Sequence, residues 1–185
     1  MKCENYIESH CIDENVRPYL DIAGKVREIH EKNGRIGDNA PKYYIQTFGC
    51  QQNEADSERL AGMCALMGYV STDRPENADI ILVNTCAVRE HAEKKALSII
   101  GNYRHIKLAN PDLIIGVGGC MVTQEARSDK LKMSYPYVSF TFDTGALLVV
   151  PSLVMNALEK KKRQFVFSDE WKINEGLPIV RNTSH

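Results

Sequence analysis

The sequence has no apolar run approaching twenty residues, so it offers no membrane-spanning helix. Its first residues lead into polar sequence without an apolar segment behind them, and no secretory signal is expected. It has no excess of positive charge: 23 Lys and Arg stand against 24 Asp and Glu, a formal net charge of −1. Because phosphate neutralisation supplies most of the affinity of RNA-gripping domains, this chain alone is not expected to hold RNA tightly. It also lacks any local CxxC or HxxxH pair, the usual frame of a structural zinc site. No glycine-rich phosphate loop opens a helix, which weakens a flavodoxin-like nucleotide-binding reading. These absences describe a cytoplasmic protein with reduced thiols, in which six cysteines point to metal binding or catalysis rather than to disulfides.

What is present is a repeating alternation. Residues 1–41 form a flank in which Val16, Tyr19, Leu20, Ala23, Val26 and Ile29 recur at helical spacing, predicting an amphipathic helix over 15–33 that Gly34 stops. Residues 35–41 read as a linker. From residue 42 to 167 strands and helices alternate. The strand at 43–48 precedes a helix with Leu60, Met63, Cys64 and Met67 on one face. The aliphatic strand at 80–83 precedes a helix carrying Ala92, Ala96, Ile99, Ile100 and Tyr103. A third strand spans 113–117, a fourth 137–142, a last helix runs from Pro151 to Leu158, and residues 164–167 add an edge strand. This order predicts an α/β domain: an open, mainly parallel sheet of four to five strands with helices on both faces, a flavodoxin- or Rossmann-like three-layer sandwich. Residues 168–185 read as a linker.

Three strands end in the same way. Cys50, Cys86 and Cys120 each stand just past a strand, about 35 residues apart, roughly one βα unit each. In a parallel sheet those positions fall on one edge, where ligands of such folds bind. Glycines at 49, 118 and 119 let the backbone turn and approach a bulky object. Three thiolates make a soft-metal site, and both an iron–sulfur cluster with one open iron and a zinc- or thiol-based binding module remain open on spacing alone.

Residues 47–58 (TFGCQQNEADSE), 78–90 (ADIILVNTCAVRE) and 111–121 (PDLIIGVGGCM) resemble the N-terminal domain of the methylthiotransferase family. Within it they are most similar to the tRNA-2-methylthio-N6-dimethylallyladenosine synthases. The ribosomal-protein enzymes carry GCPKN and NTCGF in these places, and the threonylcarbamoyl-adenosine enzymes GCKVN and NTCTV. The resemblance implies that Cys50, Cys86 and Cys120 bind an auxiliary [4Fe–4S] cluster as metal ligands. Around them, Asn53 with Asp56 reads first as a helix-start pair and second as part of a second shell. Asn84 and Arg89 flank Cys86 as candidates to order its loop or contact substrate, Arg89 equally as a surface ion pair. It implies a radical S-adenosylmethionine domain with a second cluster on a CxxxCxxC motif, an RNA-binding domain, and tRNA as partner. This chain has no CxxxCxxC and is expected to be inactive alone. It departs from the family after Cys120, where Val122-Thr123-Gln124 keeps only the last residue of the pattern, and after the fourth strand, where Phe142-Asp-Thr-Gly-Ala146 and the apolar run 147–150 are atypical.

The remaining candidates have blander readings. Cys64 is expected in the core, Cys3 and Cys11 as thiols of the flank, and His91 and His105 on a charged helix face. Residues 160–163 (KKKR) read as the solvated end of a helix, where positive charge complements the dipole.

Overall fold

The computed structural model describes residues 14–86, 90–123, 125–160 and 162–166; the side chains of 90–92, 125–127 and 160 lie outside that description. The expectations for Cys3, Cys11, Arg89, Gln124 and residues 168–185, and for the side chain of His91, therefore fall outside the described residues.

Six strands form one sheet: β1 (Lys42–Thr47), β2 (Val70–Ser71), β3 (Ile80–Thr85), β4 (Ile114–Gly119), β5 (Phe140–Phe142) and β6 (Gln164–Phe165). Their order is β2-β1-β3-β4-β5-β6, and each neighbouring pair is parallel. The helices are α1 (Arg17–Lys32), α2 (Gln51–Leu66), α3 (Glu90–Ala109), α4 (Glu125–Ser134) and α5 (Val150–Lys160). The class is the expected three-layer α/β fold. The strand count corrects the expected four to five, because β2 is only two residues long and both are exposed, so no hydrophobic alternation announces it. The fourth strand is shorter than 137–142: Val138 accepts a side-chain bond from Arg163, and laddering to β4 is confined to Phe140–Phe142.

β3 and β4 are buried along their whole length. The two-residue pleat sends alternate side chains to opposite faces. Ile80 and Leu82 enter a core with α1, α2 and α5, whereas Ile81 and Val83 enter a second core with α3 and α4. A continuous aliphatic run is what a strand covered on both sides requires. The atypical stretch at 147–150 belongs to the first core, where Leu147, Leu148 and Val150 are buried.

Helix α1 is part of that core as well. Leu20, Ala23 and Val26 are fully buried, the Leu and Val side chains worth about 1.5–3 kcal/mol each relative to exposure. Pro18 stands in its first turn, where no amide hydrogen bond is lost. Arg27 extends from α1 to the end of α2, its Nε donating to Leu66 O at 2.9 Å and Nη2 to Ala65 O at 2.5 Å. A guanidinium there satisfies carbonyls the helix leaves open and complements its dipole. Arg27→Ala is expected to lower the unfolding free energy by about 1.5 kcal/mol; a urea midpoint equal to wild type would contradict this.

Arg163 is exposed, as expected, but it lies past the end of α5 rather than within it. Its guanidinium donates to Val138 O, Lys132 O and Tyr135 O, and lies 4.9 Å from the Phe165 ring centroid. It thereby closes the end of α4 and pins β6.

Candidate metal centre

The strand order reverses direction between β1 and β3, and α/β sheets of this kind bind ligands in the crevice outside the carboxyl ends at such a point. Cys50 follows β1 and Cys86 follows β3, one on each side of the reversal; Cys120 follows β4, next in the sheet. The register fixes their neighbourhood. Thr47 lies opposite Asn84, Phe48 N–H donates to Asn84 O at 2.8 Å, and Thr85 lies opposite Gly119. The three cysteines thus leave adjacent strands on one edge. Cys50 is exposed, Cys120 half-buried and Cys86 buried, all as thiols.

Glycine permits this approach. Gly119 has φ +96°, and a Cβ there would run into Thr85 O and stand 2.7 Å from Asn84 Oδ1. At Gly49 a Cβ would meet Asn53 Oδ1 and stand 2.7 Å from Cys86 Cβ, so the Cys50 loop lies against Cys86.

Cys50 is the N-cap of α2 and forms a capping box with Asn53. The backbone N–H groups of Asn53 and then Gln52 hold its thiol pKa below the ordinary value, outweighing desolvation, with a smaller contribution from the Cys86 side chain. Helix N-termini favour the thiolate, which is the metal-binding form. In return, Asn53 Oδ1 accepts from Cys50 N–H at 3.3 Å and from the Cys50 thiol at 3.4 Å.

Behind the thiols lies a buried polar chain. Asn53 Nδ2 donates to Asn84 Oδ1 at 3.1 Å and to Thr85 O at 3.2 Å. Asn84 Nδ2 donates to Asn53 O at 2.9 Å and to Ser57 Oγ at 3.1 Å. Ser57 Oγ and Thr47 Oγ1 are 2.8 Å apart, and Thr85 Oγ1 donates to Gly118 O at 2.6 Å. Sequence reasoning missed Ser57, Thr47 and Thr85. Ser57 follows Asn53 by one helical turn, and that i, i+4 spacing is the signal that puts both on one face. Asp56, next to Ser57 in the chain, instead accepts from Gln52 and Arg59.

The other candidates lie elsewhere. Cys64 is fully buried beside Leu60 and Met63, and burial pushes its thiol far up. His105 is exposed. Asp143 is buried just past β5, on the same sheet edge as the cysteines. A cavity of about 790 Å³ lies between α1, the end of α2 and β2, away from the thiols.

Among the described residues, no three His, Cys, Asp or Glu side chains close round a point tightly enough to hold a single metal ion. As a donor set, three thiols on neighbouring loops, one of them biased toward thiolate, suit a larger thiophilic group.

The family model described as "Uncharacterized protein family UPF0004" matches residues 42–143, more than half of the chain. The chain belongs to this family. The matched UPF0004 segment runs from the start of β1 to just past β5 and contains all three cysteines. Curated relatives include the tRNA-2-methylthio-N(6)-dimethylallyladenosine synthases of Oceanobacillus iheyensis, 45% identical over 169 residues, and of Desulforamulus reducens, 43% identical over 145. That of Bacillus subtilis is 40% identical over 156 residues. These matches cover 91%, 78% and 84% of this chain but 31%, 32% and 30% of the relatives. The UPF0004 chain thus spans about a third of the length of the proteins it resembles, in their N-terminal part. The methylthiotransferase resemblance read from residues 47–58, 78–90 and 111–121 agrees with the names these relatives carry.

Proposed function

We propose that this chain is the portion of a tRNA methylthiotransferase that holds an auxiliary [4Fe–4S] cluster on Cys50, Cys86 and Cys120. The observation that carries the reading is the emergence of three thiols from adjacent strand ends at the topological reversal of the sheet. Three ligands leave one iron of a cubane open, whereas the commoner ligation uses four cysteines.

When bound, the cluster would supply an exposed iron at which sulfur is presented for methylthio transfer to carbon 2 of N6-dimethylallyladenosine beside the anticodon. The chain's own part is to ligate and to orient. Cys50, whose thiol pKa the start of α2 lowers, is the exposed ligand, and Cys86 is the buried one. The aliphatic runs of β3 and β4 keep the strand ends rigid beneath them.

S-adenosylmethionine, a second [4Fe–4S] cluster on CxxxCxxC, radical generation and tRNA binding are assigned to radical and RNA-binding domains that this sequence does not contain. The 185 residues should therefore make no product alone, in keeping with a net charge of −1 that gives weak or no tRNA affinity. A reduced, cytoplasmic setting suits the site; among the described residues no helix is long and apolar enough to cross a membrane.

Anaerobic reconstitution with iron and sulfide tests the reading. One four-iron cluster per chain is expected, with broad visible absorbance lost in Cys50→Ala, Cys86→Ala and Cys120→Ala alike. Stoichiometric tight zinc with no cluster uptake would overturn it in favour of a zinc- or thiol-based binding module.

A further inference from the structure

The Asn84 carboxamide is buried between the start of α2, which Cys50 caps, and Gly119, which precedes Cys120. Asn84 is two residues before Cys86 and is 1% exposed. Both hydrogens of its Nδ2 are used within the first turns of α2, on Asn53 O and Ser57 Oγ, and Cys50 is the N-cap of that helix. Its Oδ1 accepts from Asn53 Nδ2 and stands 2.7 Å from the position a Cβ on Gly119 would take, directly before Cys120. Asn53 reaches back to the Cys50 amide and thiol, completing a path from one loop to the next.

We infer that Asn84, braced by Ser57 and Thr47, is the positioning residue that sets the spacing of Cys50, Cys86 and Cys120. Three features separate this from ordinary satisfaction of a buried amide. The bonds run between α2, β1 and β3 rather than within one element, with |i−j| of 31 for Asn84 to Asn53 and 27 for Asn84 to Ser57. Asn53 and Asn84 exchange bonds in both directions, which fixes angle as well as distance. Finally, the absence of a side chain at Gly119 is what admits the Asn84 oxygen between β3 and β4. Ser57, whose hydroxyl pairs with Thr47 at 2.8 Å, holds the amide against rotation toward the sheet face. Partners of this kind around metal ligands are worth about tenfold or more in metal affinity when removed.

As a statement about a cluster this rests on the proposed function, and the test has two arms that fail separately. In the first, the full 185-residue chain and its Asn84→Ala and Ser57→Ala variants are reconstituted anaerobically with iron and sulfide. Asn84→Ala is expected to retain the far-ultraviolet circular dichroism of wild type, to lose the cluster to a chelator about tenfold faster, and to show altered electron paramagnetic resonance of the reduced cluster. Ser57→Ala should change the same spectrum less. In the second arm the cluster-free chain is oxidised with diamide, and the rate of Cys50–Cys86 disulfide formation is followed by peptide mapping. That rate reads thiol spacing with no metal present, and it should change in Asn84→Ala.

If wild type takes up no cluster, the proposed function fails and the diamide arm alone decides the positioning role. Should Asn84→Ala not fold, Ser57→Ala carries both arms in the same direction. A folded variant with unchanged resonance spectrum, chelator lifetime and diamide rate would overturn the inference.

Discussion

Gly119→Ala is expected to lower the unfolding free energy by about 3 kcal/mol, the sum of left-handed backbone strain and overpacking. The backbone at φ +96° disfavours any side chain, and the new methyl would strike the Thr85 carbonyl oxygen at the paired strand end. Neither β3 nor β4 can yield, because both are buried throughout and ladder to each other along their length. The loss should show in chemical denaturation as a lower midpoint with an unchanged slope. In contrast, Gly34→Ala, where a Cβ meets nothing within 4 Å, should cost backbone strain only. Equal destabilisation at the two positions would mean that the close approach of β3 and β4 contributes nothing.

His30→Phe is expected to remove a pH dependence worth up to about 3 kcal/mol. His30 is 5% exposed at the end of α1, edge-on to Tyr69 with centroids 4.7 Å apart, and its Nε2 has no hydrogen-bond partner. Burial first, then the nearby Arg35 charge, lower its pKa from 6.5 to about 4, with Asp79 opposing. Between those values the unfolded chain binds more protons than the folded one. Stability therefore falls as pH drops from about 6.5 to about 4 and gains no further loss from this group below that. Phenylalanine keeps an aromatic edge on Tyr69 and cannot ionise, so the variant should hold a flatter profile across the window. Carboxylates titrate in both proteins, so the difference between the curves isolates His30; parallel curves would refute the assignment.

How legible this was from the sequence differs by element. The layers were readable because β3 and β4 are unbroken aliphatic runs and because helical stripes such as Leu60, Met63 and Cys64 repeat cleanly. β2 was invisible, since Val70 and Ser71 join the sheet through backbone bonds from Val70 N–H to Pro41 O and Thr72 N–H to Tyr43 O. That α1 shares a core with α2 and α5 was equally hidden, because a hydrophobic stripe states that a partner exists and not which one. The shared edge of the cysteines followed from topology alone. The polar chain through Ser57 and Thr47 did not, because hydroxyl pairs depend on register and rotamer, which carry no periodic signature.

The distance along the chain between the thiols has a consequence for biogenesis. A CxxC hairpin can capture metal as a short peptide, before the rest of a protein exists. Here each sulfur is delivered by a different βα unit, and Cys120 takes its place only when β4 is docked on β3. On the proposed function, a ribosome must therefore release residues well beyond 120 before the three thiols meet, so that an inorganic core enters an already shaped polypeptide.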